Sequence, residues 1–213
     1  MIVPTMINYE MLQDMLNSID TDIDELIIID NGGKLKNIKC DLANKISIIN
    51  LPRNIGVAAS WNLGIKLTPF AKWWFIASDD ILFNPDSLHQ IAKSKFDSFL
   101  FDRKKDRKFS AFAVHENIIN QIGLFNEYFY PGIGEEIDYI EKLYKNNIKI
   151  YQLSNFFKDV NGGGNTIKHF KMGKHSTGRR LELTQESLKF DNTNKKNNWD
   201  LEYRRFVQNI LDN

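Results

Sequence analysis

Four consecutive branched apolar residues, Leu26-Ile27-Ile28-Ile29, run straight into Asp30-Asn31-Gly32-Gly33. A strand that is apolar on both faces belongs inside a sheet covered by helices on each side, and this one stops in a polar, glycine-containing turn. Related patterns flank it. Ile2-Val3-Pro4-Thr5 reads as a strand start, residues 45–51 as a strand closed by Pro52, and Lys72-Trp73-Trp74-Phe75-Ile76-Ala77 as a strand entering Ser78-Asp79-Asp80. Helical patterns lie between them. Met11, Leu12, Met15, Leu16 and Ile19 recur at the spacing of one helix face. A second helix is expected over about 57–67, ended by Pro69.

This alternation predicts βαβ units, hence an α/β fold with a mainly parallel central sheet and helices on both faces. Right-handed crossovers put the strand C-termini along one edge, and ligands of such sheets bind outside that edge. Thr5, Asp30-Asn31, Arg53-Asn54 and Ser78-Asp79-Asp80 are therefore expected to meet there. Further along, Asn84-Pro85-Asp86-Ser87 opens a helix to about 92, 109–114 reads as a strand and 115–122 as a short helix. A helix is expected over 135–145 with Ile137, Ile140, Leu143 and Tyr144 as its buried stripe, and a strand over 148–153 closes the core. From Gly162-Gly163-Gly164 the composition turns basic and then polar. Residues 154–180 are read as a mobile loop completing a domain of 1–180, and 181–213 as a helical tail packed on it.

With 213 residues, 42% hydrophobic and 26% charged, the chain can bury the core of one domain. A net charge of +1, from 28 basic and 27 acidic residues, argues against a surface built for nucleic acid or an anionic membrane. Lone Cys40 excludes an intramolecular disulfide and a multi-cysteine zinc site. No apolar run approaches a membrane span, and Met1-Ile2-Val3-Pro4-Thr5 does not read as a signal peptide. A soluble, cytoplasmic monomer is expected.

Several constellations could carry chemistry. Asp79 and Asp80 are adjacent carboxylates at a strand end and point to opposite faces, so one can ligate a divalent cation beside substrate phosphates while the other holds a ribose hydroxyl or a backbone donor; alternatively both cap a turn. Glu135-Glu136-Ile137-Asp138 follows the loop Tyr130-Pro131-Gly132-Ile133-Gly134 and opens a helix, where acidic residues are favoured by the dipole whether or not they react. Pro52-Arg53-Asn54-Ile55-Gly56 forms a small-residue turn into a helix, but neither it nor the triple glycine fits a dinucleotide or P-loop pattern. Lys168, His169, Lys171, Lys174, His175, Arg179 and Arg180 make a basic segment, either solvated or able to close on phosphates.

Taken in order, these pieces resemble an inverting glycosyltransferase of the GT-A fold, family 2 type. The resemblance rests on Ile2-Val3-Pro4-Thr5, Leu26 through Gly33, Asn54-Ile55-Gly56 with Asn62-Leu63-Gly64, Ser78-Asp79-Asp80, Gly123-Leu124-Phe125-Asn126-Glu127, and Gly134-Glu135-Glu136-Ile137-Asp138. It covers about residues 2 to 153. More narrowly, the chain is similar to the N-terminal glycosyltransferase domain of a larger chlorella-virus protein that builds capsid glycans, which implies the host cytoplasm.

The resemblance implies a UDP-sugar donor, a glycan acceptor and Mn²⁺ or Mg²⁺. Pro4 and Thr5 would line the base pocket, Asp30 with Asn31 would contact base or ribose, and Arg53 would reach the base or diphosphate. Ser78-Asp79-Asp80 stands where the family has its Asp-x-Asp motif, with Asp80 as metal ligand and Ser78 departing from the usual acidic residue. Glu136 stands at the catalytic base, normally Asp, with Glu135 and Asp138 holding the acceptor. His169 or His175 would supply a further metal ligand. Two rivals remain, a sugar nucleotidyltransferase and a binding module without catalysis. The first lacks its Gly-rich basic signature after Thr5; Ser78 and Glu136 leave the second open.

Overall fold

The computed structural model describes residues 1–7, 9–94, 96–102, 109–132, 134–153 and 157–159. Its centre is a seven-stranded sheet in the order β3-β2-β1-β4-β7-β6-β8. The strands are β1 (Ile2–Thr5), β2 (Leu26–Asp30), β3 (Ile46–Asn50), β4 (Trp73–Ala77), β6 (Phe99–Asp102), β7 (Ala111–His115) and β8 (Ile150–Leu153). β5 (Ile81–Phe83) and β9 (Phe157–Asp159) form a separate antiparallel pair. Within the large sheet β7 alone among the described strands runs against its neighbours β4 and β6, so the sheet is mainly parallel, as expected.

The apolar run of β2 explains the layering. Ile27 and Ile29 point to one face and pack with α2 (Val57–Leu67), α4 (Glu116–Ile122) and α5 (Glu135–Lys145). Leu26 and Ile28 point to the other and pack with α1 (Tyr9–Asn17) and α3 (Ser87–Lys93). Alternating side chains on a strand thus feed two cores. The first core is aromatic: Trp61 meets Phe112 and Phe125 edge-on, and Phe125 stacks on Tyr139 with ring centroids 4.0 Å apart. Gly64 lets α2 lie directly on β1, since a Cβ there would come within 2.5 Å of the Ile2 side chain.

β3 is an edge strand and only half-buried, because nothing pairs with its outer side among the described residues. Phe99–Asp102 forms a further strand, and Phe109 is buried in the core. Two expectations need correction. Phe157–Asp159, placed in a mobile loop over 154–180, is a strand paired with β5. On α5, Tyr144 is 62% exposed, while Glu135, Asp138, Tyr139, Ile140 and Leu143 are buried. The inward stripe therefore includes two carboxylates. The rest of 154–180, the tail 181–213 and the domain limits drawn with them lie outside the described residues. Among the described residues no helix is long and apolar enough to cross a membrane.

Candidate active site

The strand order reverses at β1. From it the chain steps outward to β2 and β3, then returns to place β4 on β1's other side. In an open α/β sheet such a switch point opens a crevice at the strands' C-terminal ends. β1 pairs with β4 through Ile2 and Ile76. Beyond that pair lie Pro4, which has no N–H for a ladder, and then Thr5.

Thr5 bridges the gap. Its hydroxyl donates to Oδ2 of Asp79 at 2.6 Å, and both residues are buried. Burial pushes the Asp79 carboxyl up to about 7, with the charge of Asp80 adding to the rise and the Thr5 hydroxyl opposing it. Asp80 is buried beside it. Ser78 is half-buried and its backbone N–H donates to the Ser110 carbonyl at 2.7 Å, anchoring the turn to the strand beyond.

From Thr5 a continuous chain of contacts leads to the start of α5. The Thr5 carbonyl accepts from the Asn31 backbone N–H at 2.8 Å. The Asn31 amide donates to Ser60 Oγ at 2.9 Å and accepts from the Ile55 N–H at 3.0 Å, locking the β2 turn to the entry of α2. At that entry Gly56 has φ 92°, and a Cβ would lie 3.0 Å from the Tyr130 ring. The Val57 N–H donates to the Pro131 carbonyl at 2.9 Å, across a cis Tyr130–Pro131 bond. A Cβ on Gly132 would lie 3.0 Å from Val57 and 3.8 Å from Oε1 of Glu135. Thr5, Asn31 and Asp79 meet at this edge, and the Asn54 amide lies 3.9 Å from the Met6 sulfur just beyond Thr5. Asn62, read as part of the third motif, acts as a clamp, its amide donating to Phe125 O and Glu127 Oε1, each at 2.8 Å.

The three acidic residues opening α5 differ in setting. Glu135 and Asp138 are buried, and Asp138 pairs with Lys142 Nζ at 3.2 Å. Glu136 is half-buried, and its Oε2 accepts from the Gly134 N–H at 3.1 Å. That bond satisfies one of the orphan donors at the helix start and fixes the carboxylate's direction while leaving it reachable from solvent.

Two assignments look different in three dimensions. Asp30 is wholly buried, its carboxylate accepting from the N–H groups of Gly32, Lys34 and Leu35 and from the Tyr9 hydroxyl. It organises the turn from within. Arg53 is exposed on the segment between β3 and α2. His169 and His175 lie outside the described residues. The Tyr9 hydroxyl reaches Asp30 only through the fold, and no sequence pattern marks that contact.

The glycosyl transferase family 2 model matches residues 1–97, from β1 through the turn carrying Asp79 and Asp80 to α3. No match is found among curated protein sequences. The mannosyltransferase PcManGT from Pyrobaculum calidifontis, solved with GDP-Man and Mn²⁺, superposes with a TM-score of 0.55 at 14% identity over 73% of this chain and 54% of that one. S. aureus TarS 1–349 with UDP gives 0.56 at 17% identity, over 72% and 57%. The catalytic domain of Drosophila β1,4-galactosyltransferase 7 with xylobiose gives 0.54 at 15% identity, over 86% and 77%. The chain thus spans little more than half the length of the first two. The fold is that of GT-A glycosyltransferases.

Proposed function

We propose that the chain is a nucleotide-sugar-dependent glycosyltransferase that moves a sugar from a UDP-sugar to a hydroxyl of a glycan acceptor, with inversion. One observation supports it above the others: the Thr5–Asp79 pair at the switch point is joined through Asn31 and the start of α2 to the loop that delivers Glu135 and Glu136. On this reading a donor site and a base would share one crevice.

The donor's nucleoside would lie at the ends of β1 and β2, lined by Pro4, Thr5 and the Asp30–Asn31 turn, with Arg53 able to swing in from solvent. The carboxylate of Asp80, buried beside the Thr5–Asp79 pair, fits a divalent cation. Two adjacent buried acidic groups, one pushed up to about 7, are an arrangement that a positive ion relieves. Asp80 would hold Mn²⁺ or Mg²⁺ directly, with substrate phosphates completing the shell. Bound there, the ion would stabilise charge on the diphosphate oxygens as a Lewis acid. Asp79 would stay with Thr5 and shape the turn.

Glu136 would act as general base. It retains access to solvent and thus to an acceptor, whereas the charge of Asp138 is met by Lys142 and Glu135 is packed under the 130–132 loop. As the acceptor oxygen bonds to the anomeric carbon, the bond to the diphosphate breaks and the acceptor's proton passes to Glu136, inverting the centre in one displacement. Thermal shift with UDP-sugars, with Mn²⁺ and with chelator, tests the donor site: ligand at a hundred times its Kd should add about 2.7 kcal/mol. No shift with any donor would refute the reading.

A further inference from the structure

Building on the proposed nucleotide-sugar site, we infer that Tyr9 is a displaceable cap on Asp30, holding one position on its carboxylate until an N–H or O–H of the donor nucleoside takes it.

A carboxylate offers about four acceptor positions. On Asp30, Oδ1 accepts from the Gly32 N–H at 2.9 Å, and Oδ2 from the Lys34 and Leu35 N–H groups, each at 2.7 Å. Those donors are the backbone of the turn that Asp30 itself organises, so they cannot leave without undoing it. The Tyr9 hydroxyl, 3.0 Å from Oδ1 and 3.1 Å from Oδ2, takes what is left. Of these donors it alone belongs to a side chain.

The hydroxyl also has somewhere to go. The Met6 carbonyl lies 3.1 Å from it, so it can release Asp30 without becoming a bare donor. The close approach of the three groups depends on Gly32, where a Cβ would lie 1.9 Å from the Met6 oxygen and 2.8 Å from the Tyr9 hydroxyl. Burial and the neighbouring carboxylate push the phenol's pKa up, so it remains a donor. The uracil N3–H and the ribose 2′-hydroxyl are donors too, and Asp30 is the buried acceptor at the end of β2 that could receive one of them. Any such group must compete with Tyr9, which makes Tyr9 a positioning residue that sets nucleoside affinity through Asp30.

Tyr9→Phe keeps the ring and removes the competitor. Calorimetry with UDP, N3-methyl-UDP and 2′-deoxy-UDP should show UDP binding about three- to tenfold tighter to the variant, the scale of one modest hydrogen bond. The gain should vanish for whichever analogue lacks the competing donor, while the unliganded variant melts lower than wild type. A purely structural tyrosine would weaken binding and stability together. Unchanged or weaker UDP binding, or an equal gain with all three nucleotides, would overturn the role of Tyr9 alone. UDP binding to neither protein would instead overturn the nucleotide-site reading on which it rests.

Discussion

The Thr5 hydroxyl donates to the Asp79 carboxylate at 2.6 Å, joining residues 74 positions apart across the point where β1 and β4 separate. The bond stands at the switch point and holds the acidic turn against the base of the crevice. Removing its donor leaves a buried acceptor unmet. Thr5→Val, nearly the same shape, should therefore cost about 1–3 kcal/mol in urea denaturation.

Asp79 makes stability depend on pH. Its folded pKa, about 7, lies above its ordinary 3.8, so the folded state holds a proton that the unfolded state has lost. The associated stability is full below pH 3.8 and is lost as pH rises towards 7, after which it is flat. Asp79→Asn can keep the Thr5 bond and carries no charge. Relative to wild type it should gain stability across that window, up to about 4 kcal/mol. Parallel stability profiles for the two proteins would contradict this.

Gly134 precedes α5 with φ 115°, and a Cβ there would come 2.8 Å from the Phe129 ring. Gly134→Ala should cost about 1–3 kcal/mol through backbone strain and steric contact. Because Glu136 takes its orientation from the Gly134 N–H, turnover should fall more than donor affinity. Steady-state kinetics beside nucleotide calorimetry would separate the two effects.

Glu136→Gln preserves size and removes the proton acceptor. Transfer should drop about 10² to 10⁴-fold with UDP affinity near wild type. Near-normal transfer by this variant, with Glu135→Gln or Asp138→Asn inactive, would move the base to another carboxylate.

Much of this was readable from the chain. The run Leu26-Ile27-Ile28-Ile29 declared a central strand, and both faces of β2 are indeed buried. The helix expected over 57–67 forms as Val57–Leu67, between the Gly56 turn and Pro69. What escaped was set by distant partners. β5 is three residues long and pairs with Phe157–Asp159, so no local period announces it. The α5 stripe was misread because an apolar pattern cannot show acidic residues turning inward; Glu135 and Asp138 do so, and Tyr144 faces solvent. Asp30 was correctly placed at the strand end, but its partners Lys34, Leu35 and Tyr9 become visible only once the turn closes around it.

The central claim is that this crevice splits a nucleotide-sugar. Release of nucleoside diphosphate from a panel of UDP-sugars, followed with Mn²⁺ and with chelator in wild type and Asp80→Ala, tests it most directly. We expect release of UDP from at least one donor, dependent on metal and lost in Asp80→Ala. Donor binding with no release of nucleoside diphosphate, with or without a glycan acceptor, would instead identify a binding module.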